Sequence, residues 1–375
     1  MKVVLLSPAH PLRGGIAASS ERLAQAFQEA GHAVRIVSFR VQYPGFLFPG
    51  KTQYTDDPPP AGLHIDTLIN SVNPLNWWRV GNALAADRPE LVVVRYWLPF
   101  MGPALGTICR RIRRNGHTRI VALADNIVPH ESRPGDTVLT RYFLKAMHGV
   151  VVMSRSVGDD ARRLAPGLPV AYVPHPIYDT YGERLPRATA LARLDLPAAP
   201  RYLLFFGFIR AYKGLDLLYR ALADPRVRAL PLRLLVAGEH YGDPTEYTRL
   251  AAELGIEDRL ELRSQYIPNE AVPAYFGAAD LVVQPYKTAT QSGISQLAYH
   301  FEKPMLVTAV GGLPEIVAHG KAGYVVPVDP VAIADAIVDF FQHDRYAEFE
   351  AGVRAEKGRF GWVQLVEALG CVGEG

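Results

Sequence analysis

Cysteine is almost absent from this chain: its 375 residues include two, Cys109 and Cys371. Two thiols exclude a disulfide framework and a cysteine-rich metal cluster. Excess charge of one sign is missing as well. The 40 Lys and Arg against 37 Asp and Glu leave a net charge of +3, too little to imply a nucleic-acid partner. No apolar run reaches the roughly 20 residues of a membrane span. The opening MKVVLLSPAH stops its apolar run at Pro8, short of a secretion signal, so it reads as a first strand. The expected location is cytoplasmic. No internal repeat of about 20–50 residues is visible either.

What is present is ordinary globular composition, 49% hydrophobic and 21% charged. A chain this long exceeds one hydrophobic core, and two domains are the natural division. Apolar runs at Val3–Ser7, Val34–Ser38, Leu91–Arg95, Ile120–Ala124 and Val150–Met153 alternate with helical segments. The second half repeats the scheme at Tyr202–Phe206, Arg233–Ala237, Leu260–Leu262, Leu281–Gln284, Met305–Thr308 and Tyr324–Val326. Short runs rich in β-branched residues, separated by helices, predict parallel sheets buried on both faces. The class is α/β, as two doubly wound domains. The boundary falls between Pro174 and Pro200, where Pro-His-Pro and LDLPAAP interrupt the alternation. The tail from Tyr346 to Gly370 reads as helical.

The run FFGFIRAYKGLDLL, Phe205 to Leu218, carries the strongest chemical signal. An apolar strand meets Gly207, Arg210 and Lys213 follow in a short loop, and Gly214 opens an amphipathic helix. Unpaired amides and the dipole of a helix N-terminus favour an anion there. Arg adds a planar fork for phosphate oxygens and Lys a mobile point charge. Both side chains are expected to stand in the open.

This run resembles the donor-phosphate segment of the retaining glycosyltransferases of GT-B fold, family 4. RGGIA (Arg13 to Ala17), PHPIYD (Pro174 to Asp179) and VGGLPEIVAHGKAGYVVPVDP (Val310 to Pro330) agree with it in order and spacing. The resemblance implies two Rossmann-like domains facing across a cleft, with a C-terminal helix crossing back to the first. It divides the chain into an acceptor-side domain at 1–180, a nucleotide-sugar-binding domain at 181–355 and the returning helix at 356–375. The implied activity is sugar transfer from a nucleotide-diphosphate donor to a glycan or glycolipid acceptor. Alternatives are another GT-B activity, such as a nucleotide-sugar epimerase, or a two-domain sugar-binding protein without catalysis.

Negative charge grows on the departing diphosphate, and groups aimed at it usually supply the largest catalytic term. Arg210 and Lys213 fit that role and can replace a divalent metal. No Asp-x-Asp pair stands at a strand end to anchor one; Asp159-Asp160 lies inside a helical run. Neither metal nor other cofactor is expected. Gly14 and Gly15 allow close approach of backbone to the diphosphate, and Gly207, Gly311 and Gly312 do the same on the donor side. Glu315 reads as a ribose contact or a helix cap, and Glu239 borders the base.

Many relatives carry two glutamates, eight positions apart, in the segment equivalent to Tyr286–Pro304; here those positions hold Ala289 and Leu297. Gln291, Ser292 and Gln296 are the neutral replacements, with the amides of Ser292 and Gly293 opening a helix. After another strand, where relatives often place a His, stands Asp125. It is read as orienting the acceptor or stabilising the sugar cation, with His130 or Glu131 assisting proton transfer. The alternative is local turn-capping by Asp125 and Asn126. Finally, Arg110, Arg111, Arg113 and Arg114 crowd a helix whose other face is apolar. They read as a solvated face or as peripheral contact with an anionic membrane, at its inner surface.

Overall fold

Val3 to Leu6, Leu91 to Val94 and Ile120 to Ala124 are sealed from solvent on both faces, as parallel strands covered by helices must be. The computed structural model describes the chain apart from residues 45–51, 56–57, 130–132, 290–291 and 374–375. It separates into two compact units, Met1–Pro176 with Gly361–Gly375, and Ile177–Phe360. The first boundary thus falls after Pro176, and the return to the first unit begins at Gly361.

In the first unit the order is β1 (Lys2–Leu6), α1 (Gly15–Glu29), β2 (Ala33–Val41), β3 (Ile65–Asn70), α2 (Pro74–Asp87) and β4 (Leu91–Tyr96). There follow α3 (Gly102–Arg113), β5 (Arg119–Ala124), α4 (Asp136–Leu144), β6 (Gly149–Val152), α5 (Arg155–Leu164) and β7 (Val170–Tyr172). The strands form one parallel sheet in the order β3-β2-β1-β4-β5-β6-β7. Strand order reverses between β1 and β4, the point where open α/β sheets place their ligands. β3 and β7 sit at the edges, half in solvent, and so lack the apolar run that marks the others in the sequence.

The second unit holds α6 (Arg187–Leu194), β8 (Arg201–Phe206), α7 (Leu215–Leu222), α8 (Pro225–Arg228), β9 (Leu232–Ala237), α9 (Thr245–Leu254) and β10 (Leu260–Arg263). It continues with α10 (Val272–Ala278), β11 (Leu281–Gln284), α11 (Gly293–His300), β12 (Met305–Thr308), α12 (Leu313–Ile316), β13 (Gly323–Val326), α13 (Pro330–Gln342) and α14 (Tyr346–Lys357). Its sheet is again parallel, β10-β9-β8-β11-β12-β13, and reverses between β8 and β11.

The helical tail is two helices. A tight turn at Gly358–Phe360 ends α14, and α15 (Trp362–Cys371) belongs to the first unit. There its Trp362, Leu365, Val366 and Leu369 are buried in one cluster with Leu23 and Phe27 of α1. No helix among the described residues is long and apolar enough to cross a membrane.

Candidate functional site

The reversal point of the second sheet is built by two loops locked together. Gly214 takes φ +69°, and a Cβ there would lie 1.9 Å from the carbonyl oxygen of Pro285, just beyond β11. Only glycine satisfies both demands. The Lys287 amide donates to Tyr212 O at 2.7 Å, and Lys287 Nζ pairs with Asp216 at 2.8 Å. Gly207, at φ +91°, leaves room where a Cβ would meet Lys213 Nζ and Ile294 Cδ1 at 3.3 Å. Gly238 lies still closer, since its added Cβ would sit 2.1 Å from Gly207 O.

Arg210 is half-buried, its guanidinium 4.5 Å above the Tyr241 ring. Lys213 is not in the open: it is 9% exposed, with Nζ 5.5 Å from the centre of the Tyr286 ring. The short helical turn Ala211–Lys213 carries it inward. Burial, then the neighbouring Arg210, pushes its ammonium down to about 8. A desolvated cation beside a second cation gains most from an arriving anion. Tyr241 and Tyr286, which hold these cations, are brought in by loops from different strands.

Ser292 caps α11, its Oγ accepting from the Ile294 amide at 3.2 Å and lying 3.3 Å from Tyr286 Oη. Gly293 begins the helix, with Tyr178 filling the space a Cβ would need. Gln296 is fully buried, behind the surface instead of on it, and among the described residues both its amide atoms lack a hydrogen-bond partner. The Nε2 of buried Gln284, at the end of β11, is also unpaired, while its Oε1 accepts from Ser295 at 3.0 Å. An unsatisfied buried amide costs about 1–3 kcal/mol, so two here mark a strained polar floor. Gln291 lies outside the described residues. Of the two positions where relatives carry glutamate, Leu297 is core and Ala289 packs at the core's edge.

Glu239 follows β9, half-buried, with its carbonyl accepting from Ile209. Gly311 (φ +51°) and Gly312 lead into the four-residue α12, which places Glu315 in its first turn.

In the first unit, Gly14 (φ +115°) precedes α1, and Gly15 is its first residue, with open space around Gly14. Asp125 follows β5 but does not stand alone. Its carboxylate takes two 2.6 Å bonds from the Arg95 guanidinium, and both side chains are buried. The Asp125 carboxylate is thus held in a buried bidentate pair. His175, fully enclosed nearby, is pushed down to about 4 by burial, so it is neutral at pH 7. Its Nδ1 then donates to Pro176 O at 2.8 Å, which leaves Nε2 as the acceptor nitrogen. Arg95 was invisible as a partner because it ends an apolar strand 30 residues away. His130 and Glu131 lie outside the described residues.

The arginine-rich helix is α3, and its Leu105, Ile108, Cys109 and Ile112 are wholly buried. Arg110 stacks 3.7 Å over Tyr142 and Arg111 4.0 Å over Trp78, so both are already engaged. Arg113 and Arg114 are exposed. Trp78 is 54% exposed beneath Arg111. Asp159 and Asp160 form ion pairs with Arg162 and Arg163 on α5. Among the described residues no group of three or more His, Cys, Asp or Glu is placed to hold a metal ion.

Comparison with known proteins follows both halves. A family model described as "Glycosyl transferase 4-like domain" matches residues 14–176, and one described as "Glycosyl transferases group 1" matches residues 200–343. D-inositol 3-phosphate glycosyltransferase 1 of Catenulispora acidiphila is 29% identical over 266 residues, 68% of this chain and 58% of that protein. The Streptomyces coelicolor D-inositol 3-phosphate glycosyltransferase is 31% identical over 257 residues, 66% of this chain and 54% of its own length. The chain spans about half the length of the curated relatives it matches. Among solved structures, sucrose-phosphate synthase from Thermosynechococcus elongatus superposes with a TM-score of 0.75 at 19% identity, over 99% of this chain and 98% of that one. Anabaena HepE in complex with UDP gives 0.74 at 18% identity, over 99% and 100%. With two parallel Rossmann-like sheets and both halves matched, the chain belongs to the group 1 glycosyltransferases, family 4, and has the GT-B fold.

Proposed function

We propose that this chain is a retaining glycosyltransferase that moves a sugar from a nucleotide-diphosphate sugar to a glycan or glycolipid acceptor. The observation that carries this reading is the Arg210–Lys213 pair at the reversal point of the second sheet. A buried ammonium beside a guanidinium has no structural benefit on its own, because each makes the other less favourable. A diphosphate reverses that sign. As the sugar–phosphate bond breaks, charge develops on the leaving oxygen, and Lys213 and Arg210 are held ready to receive it without reorganisation. The same groups do the neutralising that a divalent ion does elsewhere, so the reaction proceeds without one.

Around that centre, Gly207, Gly311 and Gly312 let the backbone approach the donor. The Ser292 and Gly293 amides at the start of α11 supply donors to sugar or phosphate oxygens. Gln291 and Gln296 replace the family's glutamates, Gln296 acting from behind the surface. Glu315 and Glu239 border the ribose and base. In the first unit, Gly14 and Gly15 offer free amides at the start of α1. Asp125, clamped by Arg95, is the residue that orients the acceptor or stabilises the sugar cation, with His130 assisting proton transfer. UDP is the first donor nucleotide to try, since HepE was solved with UDP and with UDP-glucose. Peripheral contact with an anionic membrane rests on Arg113 and Arg114. At about 1 kcal/mol per cation they give roughly 2 kcal/mol, half of what four free arginines would.

The test is to incubate the protein with UDP- and GDP-linked hexoses and a panel of glycan and glycolipid acceptors, and to follow release of nucleoside diphosphate and the glycosylated acceptor. NMR of the product then reads the anomeric configuration. Turnover with retained configuration supports the reading. Tight donor binding with no release over hours would leave a binding protein, and a changed sugar on an intact donor would mean an epimerase.

A further inference from the structure

The second unit carries another charged cavity, at the opposite end of its sheet from Arg210 and Lys213. It measures ≈ 430 Å³ and is lined by Arg184, Arg187, Arg201, Lys303, Asp280 and Tyr346, with Leu185, Pro186 and Ala279. Arg201 begins β8, Asp280 immediately precedes β11, and Lys303 stands two residues before β12. These are the amino ends of the strands, where the donor site does not lie. The volume is within the range of small-molecule sites.

Four cations in the lining face one carboxylate, Asp280. Among the described residues Arg201 donates to Asp280 through Nη1 at 2.8 Å and otherwise only approaches exposed Asp344, at 3.9 Å. Arg187 lies 3.7 Å from the same Asp280, donates to Ala198 O at 3.2 Å and Pro200 O at 2.7 Å, and opens α6; the first amides of a helix have no intrahelical acceptor. Arg184, on the rim, pairs with Glu302 and Glu350. Lys303 is 3% exposed and donates to Gly277 O, Ala279 O and Tyr346 Oη, none of them an anion. Burial and then Arg184 push its ammonium down to about 8, against the opposing pull of Asp280 and Glu350. The cluster is thus short of negative charge at its buried end, and half-exposed Arg201 turns further guanidinium N–H groups to its mouth.

We propose that this cavity is a second binding site, for a phosphomonoester whose phosphate sits between Arg201, Arg187 and the α6 N-terminus, with its alcohol portion filling the remaining volume. A phosphate dianion matches the deficit of negative charge, and the Arg fork matches its oxygens. The site is independent of the sugar-transfer reading, since it shares no residue with the donor loops.

Thermal melting with inorganic phosphate and with glycerol 3-phosphate tests it, using wild type, Arg201→Gln, Arg184→Gln and Lys213→Met. Saturable stabilisation is expected in wild type and in Lys213→Met, with glycerol 3-phosphate the tighter ligand. Arg201→Gln should weaken it at least about tenfold, the scale of a lost charge-assisted bond, and Arg184→Gln, which removes a lining cation that makes no bond to the phosphate, should weaken it less. Arg184→Gln serves if Arg201→Gln does not fold. No saturable shift, or one that survives both rim variants or disappears in Lys213→Met, overturns the proposal. Inorganic phosphate binding as tightly as the ester removes the claim that the cavity holds more than a phosphate.

Discussion

Replacing Lys213 by Met should make the protein more stable and nearly inactive, two effects of opposite sign from one charge. The ammonium is 9% exposed and is held at about 8 against its ordinary 10.5. At 1.36 kcal/mol per pH unit, that gap is a cost of about 3 kcal/mol for keeping it charged in the free protein. Below pH 8 the lysine is protonated in both folded and unfolded chains, and the cost is felt in full. Between 8 and 10.5 the folded chain has released a proton that the unfolded chain still holds, so stability rises with pH. Above 10.5 the cost is gone. Methionine keeps the length of the side chain and removes the charge. Lys213→Met should therefore gain up to about 3 kcal/mol at pH 7, and the gain should shrink to nothing between pH 8 and 10.5. Turnover should fall roughly 10²–10³-fold, as when one preorganised donor is removed from a developing anion. Urea unfolding at pH 7 and pH 10, with donor turnover on the same samples, reads both. A Met variant that is less stable at pH 7, or that turns over like wild type, refutes the reasoning.

Other substitutions probe the supporting structure. Asp125→Asn leaves the Arg95 guanidinium, 3% exposed in its side chain, without its counter-charge. Unfolding experiments should show a loss of about 3–5 kcal/mol, and turnover per folded molecule should fall as well if the charge faces the sugar. Gly214→Ala drives a methyl into Pro285 O at positive φ, so it should lower stability by several kcal/mol and abolish donor binding, seen by thermal melting. If Lys213 and Arg210 neutralise the diphosphate, a saturating chelator should leave the transfer rate nearly unchanged.

The strands that build the two sheets are legible because a strand buried on both faces must be a continuous apolar run. β3 escapes that rule: at the sheet edge its Thr67 and Leu68 face solvent, and IDTLIN mixes polar with apolar. The proposed phosphate cations stand out too, because Arg210, Lys213 and Gly214 are local in sequence. Their environment does not. Lys213 is buried by Tyr286, over 70 residues on, and no spacing rule reports a contact between loops of different strands. Asp125 shows the same limit, since its role depends on Arg95 from the neighbouring strand. The arginine cluster on α3 looked like four free charges. Tyr142 of α4 and Trp78 of α2 engage two of them, which only the packing of three helices can reveal.

The central claim is that Lys213 and Arg210 receive a nucleoside diphosphate. Calorimetric titration with UDP between pH 7 and pH 9.5, on wild type and Lys213→Met, tests it most directly. An anion binds the protonated lysine preferentially, so wild-type affinity should be level up to about pH 8 and decline above it, by up to tenfold per unit. The variant should bind more weakly, with an affinity that does not change over the same range. Equal affinities in the two proteins, or a wild-type affinity that stays level to pH 9.5, would contradict it.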